Sequence, residues 1–222
     1  MVRETEPEGE HARLEAAKLI GEPDCFGPLL STLVRDSAHS VIVEAIRSVG
    51  KLHKRRMVQD LLDYLDNPKL APEASHAPGE FGDAIVGSLQ DYLVDPSVTI
   101  TAKREIPAIL ERVGTSSSAR VLYENLLERD TTLRFRIICA LNKLQSQDPE
   151  VESDTQMLET ALAAEIIGHY RSYQILAKLN PTPDSQDPAS QALNESMRQE
   201  LERIFRLLGL LYPHVDVQTV RS

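Results

Sequence analysis

The sequence contains no tryptophan, and aromatic residues make up only 5% of its 222 residues. Proteins that bind single-stranded nucleic acid stack bases on aromatic side chains, so this scarcity argues against such a surface. The net charge of −10 argues against it too, because an acidic chain repels phosphate. No apolar run approaches the roughly 20 residues that cross a membrane, and no signal peptide is recognisable. These absences predict a cytoplasmic protein that does not bind nucleic acid.

Cysteine and histidine are sparse and scattered. Cys25 and Cys139 lie in apolar surroundings, which indicates buried free thiols in a reducing compartment over a disulfide. None of the six histidines forms an i, i+4 pair on a predicted helix, and no HExxH, P-loop or GxGxxG motif occurs. The sequence therefore predicts no metal site, no cofactor and no catalytic group.

The chain also lacks stretches of alternating apolar and polar residues, whereas apolar residues recur often at helical spacing. Asp95, followed by Pro96, predicts the start of one such helix, and Gly114 predicts its end. The stripe of the next helix consists of Ala119, Leu122, Tyr123, Leu126 and Leu127. Because the links between helices are short, neighbouring helices are expected to run antiparallel.

Glycines between the helices mark an internal repeat. Around Gly21, Gly50 and Gly114, apolar residues occupy the same five offsets. The spacings are 29 (50 − 21) and 64 (114 − 50), and the second is about two periods. Gly82 fits a degraded copy between them, one residue early, and Gln145 marks a fifth position. A period of 29 to 32 residues with two helices each predicts stacked helical pairs.

A repeat of this length, with alanine and leucine on its first helix and leucine on its second, resembles the HEAT-repeat family, especially its short bacterial form. The segment 130–144, with Arg134 and Arg136 early and an Ala-Leu pair later, looks like the second half of that repeat. One of these arginines either pairs with a turn aspartate of a neighbouring repeat or is solvated. The resemblance covers about residues 10–170. It implies an all-α fold, a right-handed α-α superhelix of antiparallel helical pairs.

Two further stretches carry a narrower resemblance. REIPAILERVGT at 104–115 and LERIFRLLGLLYP at 201–213 resemble a HEAT-like soluble segment that accompanies membrane domains of the ATP/ADP-translocase type. This resemblance implies a soluble domain tethered to a membrane protein at the cytoplasmic face of the membrane. The chain carries neither a transporter span nor nucleotide-binding residues, so neither activity is implied for it.

The predicted organisation has four parts. Residues 1–8 are expected to be disordered, 9–179 to form the HEAT-like repeats, 180–188 to be a linker, and 189–222 to form a capping helix and tail. Within the repeats, 67–80 contains three prolines, which are incompatible with an ordinary helix interior. An irregular, exposed loop is therefore expected there.

The one basic cluster contains Lys54, Arg55 and Arg56. It lies at a turn and at the start of a second helix of a repeat. It either solvates that helix or binds an anionic partner or lipid head group.

Four carboxylates lie on the second helices of repeats: Asp60, Asp63, Glu124 and Glu128. In stacked repeats these helices line the concave side. The carboxylates therefore either solvate this side or form an acidic ligand-binding surface.

The final predicted helix, 190–211, has apolar residues almost all round its last two turns. They are Leu201, Ile204, Phe205, Leu207, Leu208, Leu210 and Leu211. Such a helix must be buried on more than one side. We expect it to pack on the long helix predicted at 154–179. The apolar surface left over, which includes Phe205, Leu208 and Tyr212, would then contact a partner or a following domain.

These features favour a non-enzymatic protein-interaction or regulatory scaffold, since stacked helical pairs form extended binding surfaces. Its oligomeric state stays open. The alternative is a phycobilin-lyase-type HEAT protein acting on a tetrapyrrole and an acceptor subunit, because short HEAT repeats also occur in such lyases. Against that alternative, neither cysteine falls in an evident exposed pocket.

Overall fold

The computed structural model describes residues 7–19, 27–52, 57–149, 151–179 and 187–213. These residues are overwhelmingly helical and contain no β-strand, so the predicted all-α fold is confirmed. The α-helices are α1 (Pro7–Leu19), α2 (Gly27–Leu33), α3 (His39–Leu52), α4 (Val58–Leu62), α5 (Ala71–His76), α6 (Val86–Val94), α7 (Ile100–Val113), α8 (Ser116–Glu124), α9 (Thr131–Gln147), α10 (Thr155–Leu179) and α11 (Pro188–Leu211). Short 3-10 helices cover Asp63–Asp66 and Ala77–Ile85.

The chain divides into two compact units, Met1–Ser118 and Ala119–Ser222, and the division falls within α8. In the first unit α3 packs against α1, α2, α5 and the 3-10 helix Ala77–Ile85. Farther along, α7 packs against α5, α6 and both 3-10 helices. The core of the first unit is formed by fully buried aliphatic side chains, including Leu30, Leu33, Ile46, Leu61, Leu62, Leu65, Ile85, Leu89, Ile106, Ile109 and Leu110.

Hydrogen bonds in the first unit connect residues about one predicted repeat apart. The Tyr64 hydroxyl donates to the carbonyl of Val34 at 2.7 Å, 30 residues earlier. The Tyr92 hydroxyl donates to Asp63 Oδ1 at 3.2 Å, 29 residues earlier. Bonds with separations of 30 to 33 residues also link Ser40 to Glu10, Ser48 to Ala17, Thr99 to Asp66 and Thr115 to Asp83. Other side-chain contacts in this unit span 23 to 37 residues, so the offset between contacting stretches varies around one predicted repeat.

The prediction of an exposed loop at 67–80 is wrong. Residues 71–80 are helical, and Leu70, Ala74, Ala77 and Pro78 are buried. Proline is tolerated here because Pro72 lies in the first turn of α5, and Pro78 lies in the first turn of the following 3-10 helix. Backbone N–H groups have no intrahelical partner in a first turn, so proline loses no hydrogen bond there.

Helix α7 shows one correct and one incorrect boundary prediction. Gly114 ends it in the left-handed conformation, with φ 71° and its N–H donating to Leu110 at 3.1 Å. The helix begins at Ile100 and not directly after Asp95, because Thr99 accepts the capping bond from Ala102 N. Asp95 accepts hydrogen bonds within the preceding turn instead, from the backbone N and Oγ of Ser97.

In the second unit α11 packs against α10 and also against α9. The predicted packing of the final helix on the long helix before it is therefore confirmed. The start and end of both helices agree with the sequence-based prediction to within about two residues.

Some predictions concern residues outside the described ranges. Of the segment 1–8 predicted to be disordered, only Pro7 and Glu8 are described, and both belong to α1. The predicted linker 180–188 is described from Asp187 onwards, and α11 begins at Pro188. Among the described residues, no helix has both the length and the apolarity needed to cross a bilayer.

Candidate protein-interaction surface

The antiparallel hairpin of α10 and α11 has charged residues at the centre of its helix–helix contact. Glu165 of α10 and Arg203 of α11 are both only 5% exposed, and Arg203 Nε donates to Glu165 Oε2 at 2.9 Å. The second oxygen of Glu165 lies 2.6 Å from Arg134 Nε on α9. One buried carboxylate thus joins all three helices, and its negative charge is balanced by two guanidinium groups.

A second polar group lies one turn away in the same contact. Glu200 of α11 is 9% exposed, and its carboxylate accepts a hydrogen bond from Ser172 Oγ at 2.9 Å. His169 Nδ1 lies 3.1 Å from the other oxygen of Glu200. Together with the Glu165–Arg203 pair, these contacts set the axial register of α10 against α11.

Because these polar residues face inward, several large apolar residues of α10 face outward. Ile166, Tyr170 and Tyr173 are 49%, 62% and 60% exposed, whereas Leu158 is fully buried. The structure buries the side of the helix that carries Glu165.

Helix α11 has a matching exposed side. Leu201 is 40% and Tyr212 55% exposed, while Phe205 and Leu208 are half-buried. Three residues predicted to bind a partner, Phe205, Leu208 and Tyr212, are therefore brought together here. We call the following set the hairpin face: Ile166, Tyr170, Tyr173, Leu201, Phe205, Leu208 and Tyr212.

The two halves of the hairpin face lie on the same side of the hairpin. Each residue turns an α-helix by about 100°, so Ile166 is displaced by that angle from Glu165, and Leu201 from Glu200. Both glutamates point at the neighbouring helix. Both helices are right-handed but run in opposite directions, so the two rotations are mirror images when seen along the hairpin. Both apolar stripes therefore lie on the same side.

Helix α9 packs on a different side of α11 and leaves the hairpin face uncovered. Asn142 Nδ2 donates to the carbonyl of Arg206 at 3.4 Å, and Gln145 Nε2 donates to that of Leu210 at 3.3 Å. The guanidinium of Arg206 also lies over the ring of Phe135, 5.6 Å from its centroid.

Of the other predicted binding residues, the structure describes only Glu124 and Glu128. Lys54, Arg55 and Arg56 lie outside the described residues. Glu124 is exposed at the end of α8, and the Glu128 carboxylate accepts a hydrogen bond from the backbone N of Arg129 at 2.7 Å. The Glu128 carbonyl accepts from Arg134 Nη1 at 2.6 Å. Arg134 therefore contacts Glu128 and Glu165, and the turn-aspartate pairing proposed for it is not the one observed.

The predicted acidic surface of the first unit is engaged in internal contacts. Asp60 forms an ion pair with Arg35, and Asp63 accepts the hydrogen bond from Tyr92. Burial, together with the nearby Asp63 carboxylate, raises the pKa of Tyr92 to about 12. These two aspartates therefore form contacts within the first unit.

The buried charges of the hairpin were missed by sequence reasoning, although they leave a signal. Glu200, Arg203, Leu207 and Leu210 recur at spacings of three and four, the pattern of a packed helix face. A pattern that counts only apolar residues does not include Glu200 and Arg203, so it misses this second stripe.

No protein-family model and no curated protein sequence matches this chain. Within the described part of the chain, no group of histidine, cysteine and acidic side chains could hold a metal ion. The physical properties of the hairpin face therefore carry the functional argument.

Proposed function

We propose that this chain is a non-enzymatic, cytoplasmic protein-interaction module built from HEAT-like helical pairs, and that the hairpin face is its binding surface. The hydrogen bonds at separations of 29 to 33 residues support the repeat architecture. Each of them links residues about one predicted repeat apart, which is the pattern expected when repeats contact only their neighbours.

The observation that carries the proposal is the exposure of large apolar side chains on one side of α10 and α11. Isolated exposed apolar residues are ordinary, but a contiguous apolar patch rimmed by polar residues marks an interaction site. Tyrosine is enriched in protein interfaces because its ring contributes contact area while its hydroxyl tolerates water. The hairpin face contains three tyrosines. The binding partner of the hairpin face is accordingly a protein with an apolar helical surface.

Site-specific photocrosslinking in living cells tests this proposal. A photoreactive phenylalanine derivative at Tyr170 should yield a discrete protein adduct that mass spectrometry can identify. The matched control places the same residue at Ile175, which is 52% exposed on the opposite side of α10. Position 175 should give no such adduct.

Two outcomes would contradict the proposal. One is the absence of any adduct at position 170 in cells that contain the folded protein. The other is the same set of adducts at both positions, since this would show that crosslinking follows exposure alone.

A further inference from the structure

We propose that the protein bound to the hairpin face is a second copy of this chain, and that the two hairpins pair into an antiparallel four-helix bundle. This inference rests on the proposed function of the same face and names its partner. It also specifies the contact: α10 of each copy packs against α11 of the other.

Helix α10 carries two stripes with coiled-coil spacing. One faces α11 and contains Glu165 and Ser172. The other consists of Ala163, Ile166, Tyr170, Tyr173 and Ala177, all exposed, at successive spacings of three, four, three and four. This is the heptad pattern of a helix that packs against a neighbour. Within the described ranges, α11 covers the first stripe, and the second stripe is exposed.

Helix α11 repeats this arrangement. Its inner stripe contains Glu200, Arg203 and Leu207, which are buried. Its second stripe consists of Arg198, Leu201, Phe205, Leu208 and Tyr212, again at spacings of three, four, three and four. A helix with two such stripes is suited to packing against two neighbours, as each helix of a four-helix bundle does.

A two-fold axis parallel to the two helices allows the outer stripes of α10 and α11 to pack against a second copy at the same time. It places α10 of the second copy over the outer stripe of α11, antiparallel to it, which is the relation already present within one hairpin. Rotation about this axis does not shift residues along the helices. The register set by the Glu165–Arg203 pair therefore also applies between the copies.

In this register the side chains of the two stripes are complementary. Ile166 of one copy lies level with Leu201 and Phe205 of the other, and Ala163 leaves room for the Phe205 ring. Tyr170 lies level with Arg198, whose guanidinium can stack on the aromatic ring. The α10 stripe carries no charge from Ala163 to Ala177. Arg198, which is bonded to Glu195, is the one charged side chain in the stripe of α11.

The hairpin face exposes a large part of the area that a dimer interface buries. Its three tyrosines are 55–62% exposed, and a buried aromatic side chain covers about 150–250 Å², so they alone present on the order of 350 Å² per copy, against roughly 800 Å² per partner in a stable interface. The backbone and the polar rim, which includes Gln174, add to that area. The exposed apolar surface of one copy thus provides the core of an ordinary two-fold interface.

The first test measures the mass of the full chain in solution by sedimentation equilibrium. The wild type should form a dimer of twice the 24.8 kDa chain mass. Ile166→Glu places a charge in the centre of the interface and should weaken dimerisation by about 30-fold or more. Ile175→Glu, an equally exposed change on the opposite side, should dimerise like the wild type. Circular dichroism checks that both variants keep their helices.

The second test fixes the arrangement by disulfide trapping in a background with Cys25 and Cys139 replaced by serine. Ile166→Cys and Leu201→Cys are introduced in separate chains, which are then mixed and oxidised. Crosslinks should form only in the mixture, because each cysteine meets the other position across the interface. In the bundle two copies of position 166 lie diagonally opposite, beyond the roughly 7 Å between Cα atoms that a disulfide spans.

A monomeric wild type overturns the inference, as do equal effects of the two glutamate variants. Crosslinking of Ile166→Cys with itself overturns the proposed packing of α10 on α11. The photocrosslinking experiment separates these failures from failure of the proposed function. If position 170 yields an adduct with a different protein while the chain stays monomeric, only the inference of a second copy is wrong.

Discussion

At the scale of single residues, Glu165 decides which side of α10 faces the rest of the second unit. Its carboxylate is bonded by Arg203 and lies beside Arg134, so both cations depend on this one anion for neutralisation. If one of these three charged side chains turned towards water, the charge of its former partner would stay buried without compensation. This coupling turns the polar stripe inward and the tyrosines outward.

We expect Glu165→Gln to destabilise the protein strongly. The substitution keeps the shape of the side chain but leaves the arginines without a countercharge, which should cost about 3 kcal/mol of unfolding free energy. Urea denaturation measures this loss. Glu195→Gln removes an exposed carboxylate that is also paired with an arginine and should leave the curve unchanged. Equal midpoints for the two variants would show that the buried pair has no special role.

The backbone conformation at Gly82 restricts which residues this position can accept. It has φ 60° and ψ −149°, a region essentially restricted to glycine, and there is open space where a Cβ would lie. We therefore expect Gly82→Ala to cost about 1–3 kcal/mol through backbone strain alone. Gly87→Ala, in the helix α6 and also facing open space, should be neutral or stabilising by up to about 1 kcal/mol. Thermal denaturation of both variants checks the difference, and a harmless Gly82→Ala would contradict it.

At the scale of secondary-structure elements, adjacent residues of α11 face different sides. One side packs in the core of the second unit, and the other belongs to the hairpin face. Leu207 is fully buried, whereas Leu208 belongs to the hairpin face and is half-buried. Leu207→Ala should cost about 2–5 kcal/mol of unfolding free energy, the usual price of a cavity in a packed core. Leu208→Ala should cost clearly less stability in the monomer and should instead weaken self-association.

Chemical denaturation at low protein concentration, together with sedimentation equilibrium, separates the two leucine variants. The same reasoning applies to Phe205, which is half-buried. Its substitution by alanine should cost less than the roughly 3–5 kcal/mol of a fully buried ring. If Leu207→Ala and Leu208→Ala lost the same stability, α11 would not have the two distinct sides assigned to it.

The elements also show where local sequence signals succeed and fail. Gly114 ended a helix as predicted, because a left-handed C-terminal residue is a local requirement. The prolines of 67–80 were misread as loop signals, because proline interrupts a helix interior but fits a first turn. Only the position of each proline within its helix distinguishes the two cases, and that position depends on packing of Leu70 and Ala74.

At the scale of the whole molecule, dimerisation through the hairpin face would make thermal stability depend on protein concentration. Binding that occurs only between folded copies stabilises the folded state by mass action. The unfolding temperature of the wild type should therefore rise as its concentration increases. That of Ile166→Glu should begin to rise only at concentrations about 30-fold higher or more. Differential scanning calorimetry over a dilution series measures both, and a constant midpoint for the wild type would contradict dimerisation.

Local signals along the chain were sufficient to predict that it is helical and that α11 packs on α10. These properties follow from spacings within one helix and from end signals such as Gly114, which ends α7 in the left-handed conformation. Such signals are local, so they can be read along the chain. Tertiary structure alone decided which stripe of the hairpin is buried. Glu165 and Arg203 are 38 residues apart, and charged residues become core residues only when a partner neutralises them.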